Sequence, residues 1–512
     1  MTQRKLLKLS LLALRTSFVV ISIFSLGYIS FNLQSKGYRS LAIIFGFVVL
    51  LLIIIYSFKK LYPLRWLAPG IALLIIFFLY PAINTGLLST TNFGSKHLLS
   101  KTQAIERIQE IESKSDGQSN YSYYTYATES GKLGLLLLGP NRFDWATTDS
   151  VVSSPAPLPR VGNVAPKKLG EYTLLDENQT IENLQALSSG NFTNLSAETV
   201  KVTSLSEATA FKLAYVYNSK KDYFTSLDTG ERFTLEDGTY ISKSRKKLTP
   251  GFKANIGMQN FFSVVTNPLV SKPFFRVLLW NLTFALLGTF FAFALGFLIA
   301  LIVNGGGRYM RRFYRTGYLL PYILPIFITA PVWVGLLNPV YGPVNNLLDH
   351  FIGIQPDWFG SVLLSRSMLL IISLWLGFPF AMLVCISALQ SIPRDLFEAV
   401  AVDGGSKSVA VKFISFPWVL SSIAPIMVGA FAFNFNSFAI IELVTKGGPP
   451  DLASASPAGY TDILLSYTYR LAFTNGLGLD YGLAAAISFL IFFITALLSI
   501  MNFKVANRLK IT

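Results

Sequence analysis

Charge is scarce in this chain: Asp, Glu, Lys and Arg make up 14% of its 512 residues, against about a quarter in an ordinary globular domain. That composition excludes a conventional soluble enzyme. Cysteine is scarcer still. The single Cys385 has no partner, so neither an internal disulfide framework nor a cysteine metal site can form. The two histidines, His97 and His350, are equally isolated. The chain has no H-E-x-x-H, no G-x-S-x-G elbow and no Walker sequence, because Gly305-Gly306-Gly307 is followed by Arg308-Tyr309 where a nucleotide loop needs Lys-Ser/Thr. The glycine triplet reads as a turn. We expect no catalytic residue, no metal site and no cofactor in this chain. A net charge of +16 raises the question of nucleic acid, but the basic residues track the membrane and argue against it.

Apolar residues are abundant, at 52% of the chain with a mean hydropathy of +0.50. They gather into eight uninterrupted runs, each long enough to cross a hydrocarbon core of about 30 Å at about 1.5 Å per helical residue. The runs are Ser17 to Leu33, Leu41 to Phe58, Leu67 to Leu88, Val277 to Val303, Thr316 to Leu337, Met368 to Leu389, Trp418 to Leu443 and Tyr481 to Asn502. The expected fold is therefore an all-α multi-pass membrane protein of eight helices. Its first run follows Arg4, Lys5, Lys8 and Arg15 and reads as a retained helix rather than a signal sequence.

Basic residues fix the expected orientation. With the N-terminus inside, the cytoplasmic segments carry Arg4, Lys5, Lys8, Arg15, Lys59, Lys60, Arg65, Arg308, Arg311, Arg312, Arg315, Arg394, Lys407, Lys412, Lys504, Arg508 and Lys510. The opposite short loops hold only Lys36, Arg39, Arg366, Lys446 and Arg470. This bias puts both termini in the cytoplasm.

Three domains are expected: membrane helices in 1–91, a polar block in 92–275, and five membrane helices in 276–512. The polar block then lies outside the cytoplasm. From Lys96 to Arg276 it has 21 basic and 18 acidic residues, an ordinary solvated surface. Its pattern favours strands: Tyr121, Tyr123, Thr125 and Ala127 alternate, Leu135 to Leu138 stops at Gly139-Pro140, and Glu231 to Ser242 reads as two strands about Asp237-Gly238. A helix is expected near Thr102 to Glu112, and Ser153 to Pro166, with its four prolines, reads as a long loop.

Between the sixth and seventh runs lies Pro393-Arg-Asp395-Leu-Phe-Glu398-Ala399-Val400-Ala401-Val402-Asp403-Gly404-Gly405-Ser406, then Ile414-Ser415-Phe416-Pro417. Pro393 suits a first helical turn, and Asp395 and Glu398 suit its positive end. Gly404-Gly405 permits a sharp turn into a second short helix ending at Pro417. The segment is either an exposed helix-turn-helix knob or a plain surface connection.

Segment 393–417 resembles the EAA loop of permease subunits of ATP-binding-cassette importers, patterned Glu-Ala-Ala, two residues, Asp-Gly-Ala, then Ile-x-Leu-Pro. Glu398, Ala399, Asp403, Gly404, Ile414 and Pro417 match; Val400, Gly405 and Phe416 depart conservatively. Gly429-Ala-Phe-Ala-Phe-Asn434-Phe-Asn436, Thr445-Lys-Gly447-Gly448-Pro449, Pro457-Ala-Gly-Tyr-Thr-Asp462 and Tyr467-Thr-Tyr-Arg470 are similar to the maltose branch of that family. The resemblance is dense from about Thr249 to Asn507. It implies a type I permease fold with an inserted β-rich extracytoplasmic domain in the bacterial inner membrane. It also implies a second permease subunit, a pair of ATPase subunits holding ATP and Mg, and a periplasmic sugar-binding protein, with lipid as the surrounding medium. The six matching residues would couple to one ATPase.

In the seventh run, Asn434, Asn436 and Ser437 lie where each polar group needs an internal partner. They are either interhelical ties, worth roughly 0.6 kcal/mol each, or part of a sugar path. Asn434 and Ser437 share a face with Phe433 beside them, whereas Asn436 points elsewhere. In the sixth run Ser373, Leu376, Gly377 and Phe380 form one stripe, either packing residues or sugar contacts. With Tyr322 and Ile326, these match the sugar-site positions that the resemblance implies. There Ser373 stands for an Asn, Phe380 for a Tyr, Ile326 for a Ser and Ser437 for an Asn, so the sugar carried stays open. A membrane-anchored receptor or scaffold built on the external domain is the competing reading. An ion-coupled carrier lacks its intramembrane carboxylates, since Glu442 is the only candidate.

Overall fold

The computed structural model describes residues 3–114, 120–139, 143–148, 153–158, 165–305, 313–314, 316–454, 456–474 and 479–508. Arg308, Arg311, Arg312, Arg315, Lys510, Gly306, Gly307, Pro140 and part of the proline-rich loop lie outside them. The chain divides into a helical unit, Met1–Gly94 with Ile256–Thr512, and a second unit, Ser95–Asn255. Residues 256–275, grouped on sequence with the polar block, pack with the helices. There Asn260 Nδ2 donates to the carbonyls of Ser89 and Thr91, both at 2.8 Å.

Six helices among the described residues are long and apolar enough to cross a membrane: Arg39–Ser57, Leu64–Ser89, Pro268–Gly305, Val362–Gln390, Lys407–Phe435 and Tyr481–Ile500. Eight were expected. The first run lies within the Gln3–Ser35 helix, whose apolar part among the described residues is Val19–Ser35. The fifth is broken into Leu320–Ile323 and Ile326–Leu336. Leu324, with ψ 124°, is driven extended by Pro325 behind it. The seventh is interrupted at Asn436-Ser437, between Phe416–Phe435 and Phe438–Val444. Its Asn436 Nδ2 donates back to the Ala432 carbonyl at 3.0 Å, the local competition through which Asn disfavours helix interiors.

The Pro268–Gly305 and Val362–Gln390 helices cross closely at Gly296. A Cβ there would lie 2.7 Å from the Met382 nitrogen and 2.8 Å from Ala381 Cβ. Below this crossing, Phe293, Phe297, Met382, Cys385, Ile386, Val419 and Ile423 form one buried cluster with Ile414 against it.

Ser95–Asn255 is β-rich, with a nine-stranded and a four-stranded antiparallel sheet. In the larger one, Asn120–Ala127 pairs with Leu133–Leu138, whose Leu135, Leu136 and Leu137 are all buried. Burial of successive residues means that both faces are covered. In the smaller, Arg232–Glu236 pairs with Thr239–Ser242 across Asp237 and Gly238, at φ +49° and +76°, the positive pair that a two-residue hairpin of right-handed twist requires. The helix expected near Thr102 runs Lys101–Gln109. Ser100 and Gln103 close a capping box at its start.

Candidate functional site

The helical unit contains a cavity of about 510 Å³, within the size range of small-molecule sites. Tyr322, Ser373, Leu376, Gly377, Phe380, Phe433, Asn434 and Ser437, scattered over 116 residues of sequence, all line it. Ile326 does not; it packs beside Trp333 on the cluster around Trp280 and Met368. Thr289, Ala292 and Phe293 close the cavity from the Pro268–Gly305 helix, and Ala381, Val384, Ile423, Ile426, Met427, Gly429, Ala430 and Ile440 complete its wall.

The polar groups come from three helices. Asn434 Nδ2 donates to Thr289 Oγ1 at 3.0 Å. Ser373 is only 7% exposed, and a Cβ on Gly288 would stand 3.1 Å from its Oγ and 3.5 Å from Asn434 Nδ2. Gly288 thus lets the Ser373 and Asn434 side chains converge on one helix face. A Cβ on Gly377 would meet Ala292 Cβ at 3.2 Å, so its bareness lets two helices approach. Tyr322 and Phe380 stack with ring centroids 6.1 Å apart and an interplanar angle of 21°. They are 56% and 39% exposed, and Phe433 is 74% exposed. Aromatic faces beside amide and hydroxyl groups suit a polyhydroxylated ring, whose C–H face is apolar and whose edge needs hydrogen bonds.

Sequence reasoning passed over Thr289 and Asn281, although both interrupt the fourth apolar run, where a polar group must find a partner. Asn436, at the break after Phe435, does not line the cavity, and its amide instead donates back to the Ala432 carbonyl.

A second site is built on the Arg394–Val402 helix, which buries none of its residues. Pro393 precedes it, Asp395 lies in its first turn and Asp403 caps its end. Gly404 turns the chain at φ +73°. Ser406 Oγ then accepts from the Val409 nitrogen at 3.4 Å to start the next helix. That helix does not end at Pro417. It runs Lys407–Ala410, makes one π-helical turn over Val411–Ser415 and continues as Phe416–Phe435. Proline, lacking an N–H, is tolerated where a helix starts or its ladder shifts register. Glu398, Ala399, Asp403 and Gly404 are exposed, while Ile414 anchors the segment to the buried cluster below the helix crossing. The Gly404 turn is thus joined to Asn434 by unbroken helix.

Around the 445–470 segment, Asp462 Oδ2 accepts from the Gly459 nitrogen at 2.7 Å, and its Oδ1 accepts from Ser466 Oγ at 2.7 Å and from Arg470 Nε at 2.9 Å. Arg470 also reaches Glu442 at 2.8 Å. Glu442, the one carboxylate considered for ion coupling, is thereby committed to an ion pair. No group of three or more His, Cys, Asp or Glu is placed to hold a metal among the described residues.

Comparison with known proteins adds an independent observation. Residues 292–511 match the family of binding-protein-dependent transport system inner membrane components. Residues 72–148 match the N-terminal of TM subunit in PBP-dependent ABC transporters. The maltose/maltodextrin transport system permease protein MalF of Vibrio cholerae is 33% identical over 93% of this chain and 92% of its own. That of Escherichia coli is 33% identical over 89% of each. Among solved structures, a bacterial ABC transporter involved in the import of the acidic polysaccharide alginate is 23% identical over 49% of this chain and 84% of that one, with a TM-score of 0.43.

Proposed function

Because the chain belongs to the MalF family of transport system permease proteins, and so is a multi-pass inner-membrane permease subunit of an ABC sugar importer rather than an enzyme, we propose that its cavity forms half of the path for maltose- or maltodextrin-type oligosaccharides. The observation that carries the reading is the convergence of eight sequence-selected residues, from three helices and a helix break, on one cavity with polar and aromatic walls. Such an importer works with ATPase subunits and a periplasmic binding protein. We assign the remaining half of the path to a MalG-like second permease, and ATP and Mg to a MalK-like ATPase pair docked on Glu398, Ala399, Asp403 and Gly404. Both termini then lie in the cytoplasm and Ser95–Asn255 outside it.

Continuity of helix supports the coupling role. A knob joined through Gly404 to a helix that reaches Asn434 can carry ATPase motion to the cavity as a rigid-body shift. A different sugar is the second reading. Phe380 lacks a hydroxyl and Ser437 is short where the maltose branch has longer polar groups, and each unmade bond to a buried partner costs about 1 to 3 kcal/mol. Purification of this chain with its partners, followed by reconstitution, tests the assignment. ATP-driven uptake of labelled maltose or maltotriose is expected only with all subunits present. Saturable uptake by this chain alone, without ATP, contradicts it.

A further inference from the structure

Asn281 neither lines the cavity nor belongs to the exposed Arg394–Val402 helix, yet it is fully buried in the Pro268–Gly305 helix. Its Nδ2 donates to the Phe435 carbonyl at 2.9 Å, and its Oδ1 accepts from the Leu464 nitrogen at 2.9 Å. This orientation is fixed by chemistry, because a reversed amide would set oxygen against oxygen and N–H against N–H. Both partners are backbone groups that helices leave unsatisfied. Phe435 ends the Phe416–Phe435 helix and Leu464 opens the Leu464–Phe473 helix. One side chain on a third helix therefore closes the end of one helix and the start of another.

The turn it holds carries Phe433, Asn434 and Ser437. Thr289, on the same helix as Asn281, holds the Asn434 side chain. The Leu464 end is a firm reference point, since Arg470 within that helix is locked to Asp462 and Glu442. We propose that Asn281 is a positioning residue for sugar recognition, fixing the Phe435 carbonyl so that Asn434, beside Ser373, and Ser437 hold their places on the cavity wall. The proposal rests on the cavity being the sugar path.

Asn281→Asp keeps the size of the side chain and an acceptor for the Leu464 nitrogen but, as a carboxylate, offers no donor to Phe435, so uptake is read at a pH high enough to ionise it. The assembled transporter, with ATPase, second permease and binding protein, is reconstituted, and uptake of labelled maltose and maltotriose is measured at saturating binding protein. We expect the ratio of the two rates to shift by about threefold, the consequence of one average intramembrane hydrogen bond, with the amount of assembled complex unchanged. A purely structural defect lowers both rates in proportion, and that result, or wild-type rates, overturns the proposal. If the Asp variant does not assemble, Asn281→Ser is read in the same way, and failure of both to assemble also overturns it. Asn434→Leu separates the two levels of the argument. If it leaves uptake intact, the sugar path itself is misassigned; if it abolishes uptake while Asn281→Asp behaves as wild type, only the positioning role falls.

Discussion

Asn434 Nδ2 lies 3.0 Å from Thr289 Oγ1 and joins the Phe416–Phe435 and Pro268–Gly305 helices at the cavity wall. The bond is both an interhelical tie and a means of orienting the amide. With the nitrogen committed to Thr289, the carbonyl oxygen accepts no hydrogen bond among the described residues, and in the proposed sugar path it is the acceptor open to a hydroxyl.

Thr289→Val preserves shape but removes the acceptor. We expect sugar uptake to fall about threefold, with assembly retained, because an intramembrane tie is worth roughly 0.6 kcal/mol. Uptake kinetics beside quantified complex would check this. Phe380→Tyr with Ser437→Asn should raise uptake of maltose-type sugars. Unchanged uptake in all these variants would remove the site assignment.

At Gly404, φ +73° with nothing within 4 Å of an added Cβ means that a substitution meets backbone strain and no clash. Gly404→Val should cost about 1 to 2 kcal/mol at the turn and uncouple ATP hydrolysis from uptake while the spans still insert. Wild-type sugar-stimulated hydrolysis and uptake in this variant would reduce the turn to a connection.

Two glycines of the cavity helices should behave oppositely. Gly296→Val drives atoms into the Met382 backbone and should abolish accumulation of folded chain, since neither helix backbone can yield cheaply. Gly429 has open space around an added Cβ, so Gly429→Ala should accumulate normally. Membrane-fraction yield distinguishes them, and equal yields would contradict the close crossing.

In Ser95–Asn255, His97 is half-buried, with Nε2 2.8 Å from Thr239 Oγ1. Burial, then Lys247 and Lys96, lower its pKa below the ordinary 6.5. The unfolded chain therefore takes up the proton first. The contribution of His97 to stability is full above pH 6.5 and falls as pH drops below it, until the folded ring itself protonates. Hydrogen exchange of residues 95–255 in the intact protein, corrected for intrinsic rates, should lose protection between pH 7.5 and 5.5. His97→Asn should flatten that loss. Identical profiles would remove His97 as the cause.

Helix periodicity puts Ser373, Leu376, Gly377 and Phe380 on one stripe whatever surrounds them, but choosing that stripe and Tyr322 as cavity residues rested on the resemblance to the importer permeases. Helix breaks were not legible, because each falls inside a run apolar enough on average to read as one span; Pro325 was the available signal for the first and the polar pair Asn436-Ser437 for the second. Thr289 and Asn281 escaped since polar groups were weighed in the seventh run and not in the fourth. The hairpin at Asp237-Gly238 followed from local turn chemistry. The pairing of Glu112–Lys114 with Glu207–Leu213 could not be read, because nothing local encodes a partner so distant in the chain.

The most direct test is ATP-driven uptake of labelled maltotriose by vesicles holding the complete transporter, wild type against Asn434→Leu, with assembly and basal ATP hydrolysis measured in the same preparations. The account predicts saturable uptake in the wild type and at least a tenfold loss in the variant, about 1.4 kcal/mol or more, with assembly unchanged. Equal uptake by the two transporters would contradict it.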